Sequence, residues 1–97
     1  MANYIMLLNY TDQGIVNVKE SPKRLEAAKE LATRFGAELK EFFLTLGNYD
    51  AVVILEAPSD EAASKFALAA GSLGNVRTTT LRAYAEPEFR DIIGALP

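Results

Sequence analysis

Two runs of this sequence, residues 4–11 (YIMLLNYT) and 50–57 (DAVVILEA), are apolar with almost no interruption. Such runs, bounded by turn residues, favour strands that are buried on both faces, because a half-exposed strand alternates apolar and polar positions. Each strand therefore needs a cover on two sides. The chain has 97 residues, enough for one small core, so residues 1–97 are interpreted as a single domain.

The remaining segments predict an α+β fold. Two stretches have the apolar spacing of an amphipathic helix: one has Ser21 as its cap and ends at Gly36, and the other starts at Ser59 or Asp60 and ends at Gly74. Residues 37–46 and 76–85 are predicted strands. Residues 15–20 are interpreted as a short helical turn that covers another part of the chain with Ile15, Val16 and Val18, and the tail after Pro87 as one or two helical turns. The order β-α-β-β-α-β predicts a ferredoxin-like sandwich, a four-stranded antiparallel sheet with two helices on one face.

The sheet face opposite the helices is expected to be apolar. In the strand order 4-1-3-2 the two apolar runs are the central strands, and their outward side chains would form a larger patch than a monomer tolerates. We expect a second copy to stack on this face, sheet to sheet, and to close a dimeric α+β barrel. In the alternative, the C-terminal tail covers the face within one chain.

Composition limits the chemistry. The chain has no histidine and no cysteine, which excludes imidazole triads, thiolate nucleophiles and Cys/His zinc sites, and we expect no metal and no cofactor. A net charge of −3 argues against nucleic acid and anionic membranes as partners. No apolar run approaches the ~20 residues of a membrane span, and no basic leader precedes the first strand, so a cytoplasmic location is expected.

A tight turn is predicted between the second and third strands, where Gly47 and Asn48 both tolerate positive φ. Tyr49 and Asp50 follow it. The carboxylate of Asp50 either accepts hydrogen bonds from the amides of the turn or lines the mouth of a pocket with Tyr49, as an acceptor or general base for a polar ligand.

Further polar candidates lie near strand ends. Asn9 and Thr11 end the first strand and would meet the start of the fourth, where Arg77 binds an acidic ligand or forms an ion pair with Asp12. Arg82 and Tyr84 share one face of the fourth strand, where they close the interior of a barrel or lie at the rim of a dimer. Because the two strands are antiparallel neighbours, these two sets would lie at opposite ends of the sheet, and one pocket cannot hold both.

The helices carry two further patterns. The second helix has an alanine-rich stripe, which is typical of close packing on the sheet and alternatively leaves room for a flat apolar ligand. The first helix has charges of alternating sign that predict a solvated outer face; they are Lys23, Arg24, Glu26, Lys29, Glu30 and Arg34.

The segment Gly47-Asn48-Tyr49-Asp50, between an aromatic strand and a Val/Ile strand, resembles the Gly-x-Tyr-Asp signature of the GYD domain family. Residues 11–15, 21–24, 56–60 and 74–78 are also similar to that family's pattern, so the resemblance covers nearly the whole chain. It implies a ferredoxin-like fold related to the dimeric α+β barrels, and little about chemistry. A similar hairpin lies near an amino-acid pocket between subunits in regulators of the leucine-responsive type.

Three functions are compatible with this sequence. The first is a homo-oligomeric binding or assembly protein that uses a pocket between sheet and helices or at the subunit interface, with a small apolar or amino-acid-like ligand. The second is a cofactor-free monooxygenase or isomerase of the dimeric barrel type, which needs a closed pocket with a titratable group such as Asp50. The third is a module that senses an amino-acid-like effector.

Overall fold

The computed structural model describes residues 1–97. Its elements are, in chain order, β1 (Ala2–Tyr10), α1 (Asp12–Val16), a 3₁₀ turn (Val18–Glu20), α2 (Ser21–Arg34), β2 (Glu38–Leu44), β3 (Ala51–Ala57), α3 (Asp60–Ser72), β4 (Val76–Ala83) and α4 (Glu86–Gly94). This order confirms the predicted β-α-β-β-α-β arrangement, with two short helical pieces added before α2. No helix has both the length and the apolar character needed to cross a membrane.

The sheet is antiparallel throughout, in the order β2-β3-β1-β4. The buried side chains of β1 and β3 alternate along each strand and point to one face, which α2 and α3 cover. These observations confirm the ferredoxin-like sandwich. The core beneath the helices is formed by Tyr4, Met6, Ala32, Ala37, Val53, Leu55, Ala57, Ala62, Ala63 and Phe66.

The opposite face of the sheet is apolar at its centre and polar toward its ends, where Asn3 and Glu56 pair at one end and Asn9 and Arg77 at the other. In the strand register, Ile5 of β1 lies beside Ile54 of β3 and Leu81 of β4, and Leu81 is 46% exposed. We call this surface the open face; its apolar positions are Ile5, Leu7, Phe43, Val52, Ile54 and Leu81. The C-terminal tail does not cover it: α4 makes no extensive contact with any strand, and its Phe89, Ile92 and Ile93 stay about half exposed.

Several local predictions need correction. Thr11 ends the first run as the N-cap of α1, where its Oγ1 accepts from the Gly14 amide at 3.0 Å. Ser21 does not cap α2, because Glu20 already has helical φ and ψ; the Ser21 hydroxyl instead donates to the Tyr10 hydroxyl at 3.2 Å. Ile15, Val16 and Val18, predicted to cover another part of the chain, are exposed.

The connection between β2 and β3 is longer than the predicted two-residue turn. Residues 45–50 form a loop closed by the Thr45 amide, which donates to the Asp50 carbonyl at 2.9 Å. Gly47 has φ of +105°, as predicted, whereas Asn48 does not have a positive φ. The loop is wide because β2 and β3 pair only as far as Leu44 and Ala51.

Strand β2 contains a bulge, where the register with β3 shifts between Leu39 and Glu41. The extra residue, Lys40, forms ion pairs with Glu38 and Glu56, at 3.6 Å each. A bulge increases the local twist of an edge strand and interrupts its row of free backbone groups.

Candidate functional site

A cavity of about 470 Å³ lies between the two long helices and the sheet. Its size is that of a small-molecule site. Most of its wall is apolar, and the side chains that line its interior are Met6, Leu8, Leu25, Ala28, Leu31, Leu39, Phe42, Val53, Phe66 and Ala70. The alanine-rich stripe of α3 shows both predicted roles: Ala62 and Ala63 are buried in the core, whereas Ala70 lines the cavity.

One end of the cavity is polar. We call it the polar end; it is formed by Tyr10, Ser21, Arg24, Asp50 and Asn75. The fold brings these residues together because the end of β1, the start of α2 and the starts of β3 and β4 lie at the same end of the sandwich. An apolar cavity with a few convergent polar groups is the usual form of a ligand site.

Arg24 is the half-buried cation of this end. Its guanidinium donates to the carbonyls of Asn17 at 2.9 Å and Gly14 at 3.3 Å, and to the Ser21 hydroxyl at 3.1 Å. These bonds fix it against the start of α2. The prediction that Arg24 lies on the solvated outer face of this helix is therefore wrong.

A sequence signal for Arg24 existed. Arg24, Ala28 and Leu31 are spaced by four and three residues, which places the arginine on the same stripe as the apolar side chains. Because Arg24 is charged, it was grouped with the solvent-exposed charges of the helix instead. By contrast, Lys23 and Lys29 do lie outside, where they form exposed ion pairs with Glu20 and Glu26.

Asp50 lies at the polar end and also has a structural contact. Its Oδ2 accepts from the Tyr10 amide at 2.9 Å, and its own amide donates to the Leu8 carbonyl at 2.8 Å. The hydrogen-bond partner is thus the neighbouring strand rather than the turn. Tyr49, predicted beside it at a pocket mouth, does not line the cavity; its carbonyl accepts from the Thr45 hydroxyl at 2.7 Å.

The predicted pair of Asn9 and Arg77 is brought together in the structure, because the two residues are direct register partners in β1 and β4. They share the open face rather than the cavity. Thr11 meets the start of β4 as expected, and its hydroxyl donates to the Gly74 carbonyl at 2.5 Å. The predicted ion pair between Arg77 and Asp12 does not form.

Arg82 and Tyr84 lie together at the other end of the sheet, which agrees with the prediction that one pocket cannot hold all four strand-end residues. The Arg82 guanidinium lies 4.4 Å from the Tyr84 ring centroid and 5.7 Å from that of Tyr4. It also contacts Glu88 of α4 at 3.4 Å. The arginine thus joins β4 to the start of α4.

Tyr4 is the buried member of this second cluster. Its hydroxyl donates to the Asp60 carboxylate at 2.5 Å. Burial raises the pKa of the Tyr4 phenol, and the hydrogen bond to Asp60 adds to the rise, whereas the charge of Arg82 lowers it. Tyr4 therefore stays protonated and acts as a donor. Sequence analysis missed this pair because 56 residues separate its members.

The fold and the cavity together define a small ferredoxin-like α+β domain with an internal site between helices and sheet. The chain belongs to the GYD domain family, whose model matches residues 4–93. This confirms the family resemblance noted from the sequence. It is also similar to the glutamine synthetase and cystathionine beta-lyase binding protein of Thermus thermophilus, with 33% identity over 84 residues, covering 86% of this chain and 88% of that protein.

Solved structures share the fold. The leucine response regulatory protein of Mycobacterium tuberculosis superimposes with a TM-score of 0.66 at 17% identity, over 87% of this chain and 51% of that one. A feast or famine regulatory protein from the same organism, complexed with L-methionine, gives a TM-score of 0.66 at 17% identity, over 89% of this chain and 54% of that one. The chain spans about half the length of these regulators, and at this identity the likeness concerns the fold alone.

Proposed function

We propose that this protein is a homo-oligomeric binding protein, which pairs with a second copy through its open face and holds other proteins in an assembly. The observation that carries the proposal is the open face itself. Ile5, Ile54 and Leu81 are adjacent across three strands, and α4, the helix that follows β4, makes no extensive contact with any strand.

Stacking two such faces has a clear physical gain. A small domain buries a limited share of its surface, and each square ångström of apolar surface removed from water contributes ~25 cal/mol. Two sheets that pack face to face interdigitate their side chains about 10 Å apart. Association through this face would therefore extend the core that one chain supplies.

Helix α4 offers a second unpartnered surface. Its apolar side chains Phe89, Ile92 and Ile93 follow helical spacing and are about half exposed. Leu96, just after the helix, is exposed as well. The helix is fixed at its start by Arg82, which contacts Glu88, and its apolar stripe makes no extensive contact with the body of the chain. This stripe is suited to a partner protein.

The class of partner follows from the relative in Thermus thermophilus, which is named as a binding protein for two enzymes. We infer that this chain likewise binds enzymes of amino-acid metabolism. The cavity favours the effector-sensing function as a second candidate, because it offers space for a small ligand next to a charged end. The monooxygenase or isomerase function stays a prediction.

Native mass spectrometry of the full chain tests the oligomer. We expect a dimer or a higher oligomer, and we expect Ile54→Lys to give monomers, because a buried lysine pair across the interface is strongly unfavourable. Glu30→Lys, on the exposed side of α2, is the matched control. A wild-type monomer at micromolar concentration would refute the pairing.

Partner binding is tested separately, on a biosensor that carries glutamine synthetase or cystathionine beta-lyase from the same organism as this chain. We expect saturable binding of the wild-type chain, and at least tenfold weaker binding of the double variant Ile92→Ser/Ile93→Ser. Absence of binding to both enzymes would refute the partner class and leave the oligomer test unaffected.

A further inference from the structure

The polar end of the cavity holds a cation that no carboxylate of the chain neutralises. The three hydrogen bonds of Arg24 all go to neutral oxygens, and none of the ion pairs in the structure includes it. A guanidinium has five N–H donors, so donors remain for a further acceptor. Beside an apolar wall, an unneutralised charge is costly and attracts an anion.

The same end holds a carboxylate with spare capacity. The Oδ2 of Asp50 accepts from the Tyr10 amide, whereas its Oδ1 accepts no hydrogen bond from the protein. Asp50 and Arg24 do not form an ion pair with each other. They lie at the two ends of Tyr10, whose amide donates to Asp50 and whose hydroxyl connects through Ser21 to Arg24.

We propose that the cavity binds an α-amino acid with a large apolar side chain. Arg24 binds the α-carboxylate, Asp50 accepts from the α-ammonium group, and the side chain enters the apolar interior beside Leu25 and Phe42. The two charges of opposite sign match the two charges of a zwitterion. The volume of about 470 Å³ admits aliphatic and aromatic side chains alike.

Ligands with one charge fit this end less well. A simple carboxylate bound to Arg24 would place a second negative charge near Asp50. A simple amine bound to Asp50 would place a second positive charge near Arg24 and leave the arginine without an anion. Since this site lies on the helix side of the sheet, it is independent of the open face. A monomeric Ile54→Lys variant is expected to keep it, so failure of the site and failure of the oligomer are distinguishable.

Isothermal titration calorimetry of the full chain tests the proposal with L-leucine, L-methionine and L-phenylalanine, and with two analogues of leucine. One analogue, 4-methylpentanoate, lacks the ammonium group, and the other, 3-methylbutylamine, lacks the carboxylate. We expect leucine to bind. We expect each analogue to bind at least tenfold more weakly than leucine. No binding of any of the three at millimolar concentration would overturn the proposal, as would equal binding of leucine and either analogue.

Variants identify the site. Arg24→Gln and Asp50→Asn are each expected to weaken leucine binding at least tenfold, and the amide oxygen of the asparagine can still accept from Tyr10. Arg34→Gln, an exposed position of the same helix, is expected to change nothing. Because Arg24 also fixes the chain before α2, Ala28→Leu provides a second route: it fills the cavity, leaves both charges in place and should abolish binding. Unchanged binding in Ala28→Leu and Arg24→Gln would place the ligand elsewhere and refute the proposal.

Discussion

The carboxylate of Asp50 accepts a hydrogen bond from the backbone amide of Tyr10 at 2.9 Å, across 40 positions of sequence. Strands β1 and β3 pair only as far as Leu8 and Ala51, so the Tyr10 amide lies beyond their ladder. The side chain of Asp50 takes the place of the missing strand carbonyl. One residue thus completes the sheet and lines the cavity.

Replacing Asp50 by alanine is expected to lower the free energy of unfolding by about 1–2 kcal/mol, because the Tyr10 amide loses its charged acceptor. Asp50→Asn should lose less than half of this, since its amide oxygen accepts the same bond. Urea denaturation followed by circular dichroism measures both. Equal losses in the two variants would show that the charge, and not the hydrogen bond, is what stabilises the sheet end.

Thr11 is expected to be a structural residue, although the sequence suggested a ligand contact. Its hydroxyl caps α1 at Gly14 and donates to Gly74, so Thr11→Val should cost about 1–2 kcal/mol of stability. Thr11→Ser keeps the hydroxyl and should stay within about 0.5 kcal/mol of the wild type. Thermal unfolding of the two variants under identical conditions provides the comparison, and equal melting temperatures would contradict the capping role.

Alkaline stability should depend on Tyr4. Its folded-state pKa is raised by burial and by Asp60, so the folded state holds the phenolic proton more tightly than the unfolded state, in which the pKa is about 10. The corresponding stability is present below about pH 10 and is lost as the pH rises through the folded-state pKa. Urea denaturation at several values from pH 8 to pH 11 should therefore show a steeper loss for the wild type than for Tyr4→Phe.

The matched control for this experiment is Tyr84→Phe, which removes an exposed phenol (55% exposed) from the same cluster. It should change the alkaline slope much less than Tyr4→Phe does, because it leaves the buried phenol and its hydrogen bond to Asp60 in place. At neutral pH, Tyr4→Phe should itself cost about 1 kcal/mol, through loss of the hydrogen bond to Asp60. A Tyr4→Phe variant with the wild-type slope would contradict the assignment.

Gly14 is expected to tolerate no side chain. A Cβ there would collide with the backbone carbonyl of Asn75, and the contact involves rigid main chain on both sides. Gly14→Ala should therefore lower stability by about 2 kcal/mol or more, or prevent folding. Gly94→Ala, at the end of α4 with open space around it, should be neutral or slightly stabilising. Expression of soluble protein and thermal unfolding compare them; a stable Gly14→Ala would contradict the close packing.

The sequence predicted the fold because its strongest signals are local. Uninterrupted apolar runs indicate the central strands whatever path the rest of the chain takes. Gly36 ends α2 because its own backbone has a positive φ, +72°. Ser59 likewise caps α3 through a bond to the Ala62 amide only three residues away. Signals of this range do not depend on the rest of the fold.

The polar end of the cavity is formed by residues that are far apart in the sequence, so the sequence predicted only part of it. Asp50 was a candidate from its turn, but its partner Tyr10 comes from another strand. Arg24 was assigned to solvent because of its charge, although its spacing places it on the apolar stripe. Its acceptors include two carbonyls of residues 12–20, a short, weakly patterned segment that folds back over the start of α2. The predicted partner of Arg77, Asp12, belongs to the same segment, at the start of α1.

The bulge at Lys40 determines how such molecules can associate. A flat β2 edge would accept the strand of any neighbour, and every addition would present a new edge, as in a growing fibre. The bulge at Lys40 and the ion pairs of this lysine with Glu38 and Glu56 interrupt that edge. The open face, by contrast, would be fully covered after one copy has packed on it. If copies pair through the open face as proposed, their association is thereby directed toward closed assemblies of fixed size and away from polymerisation.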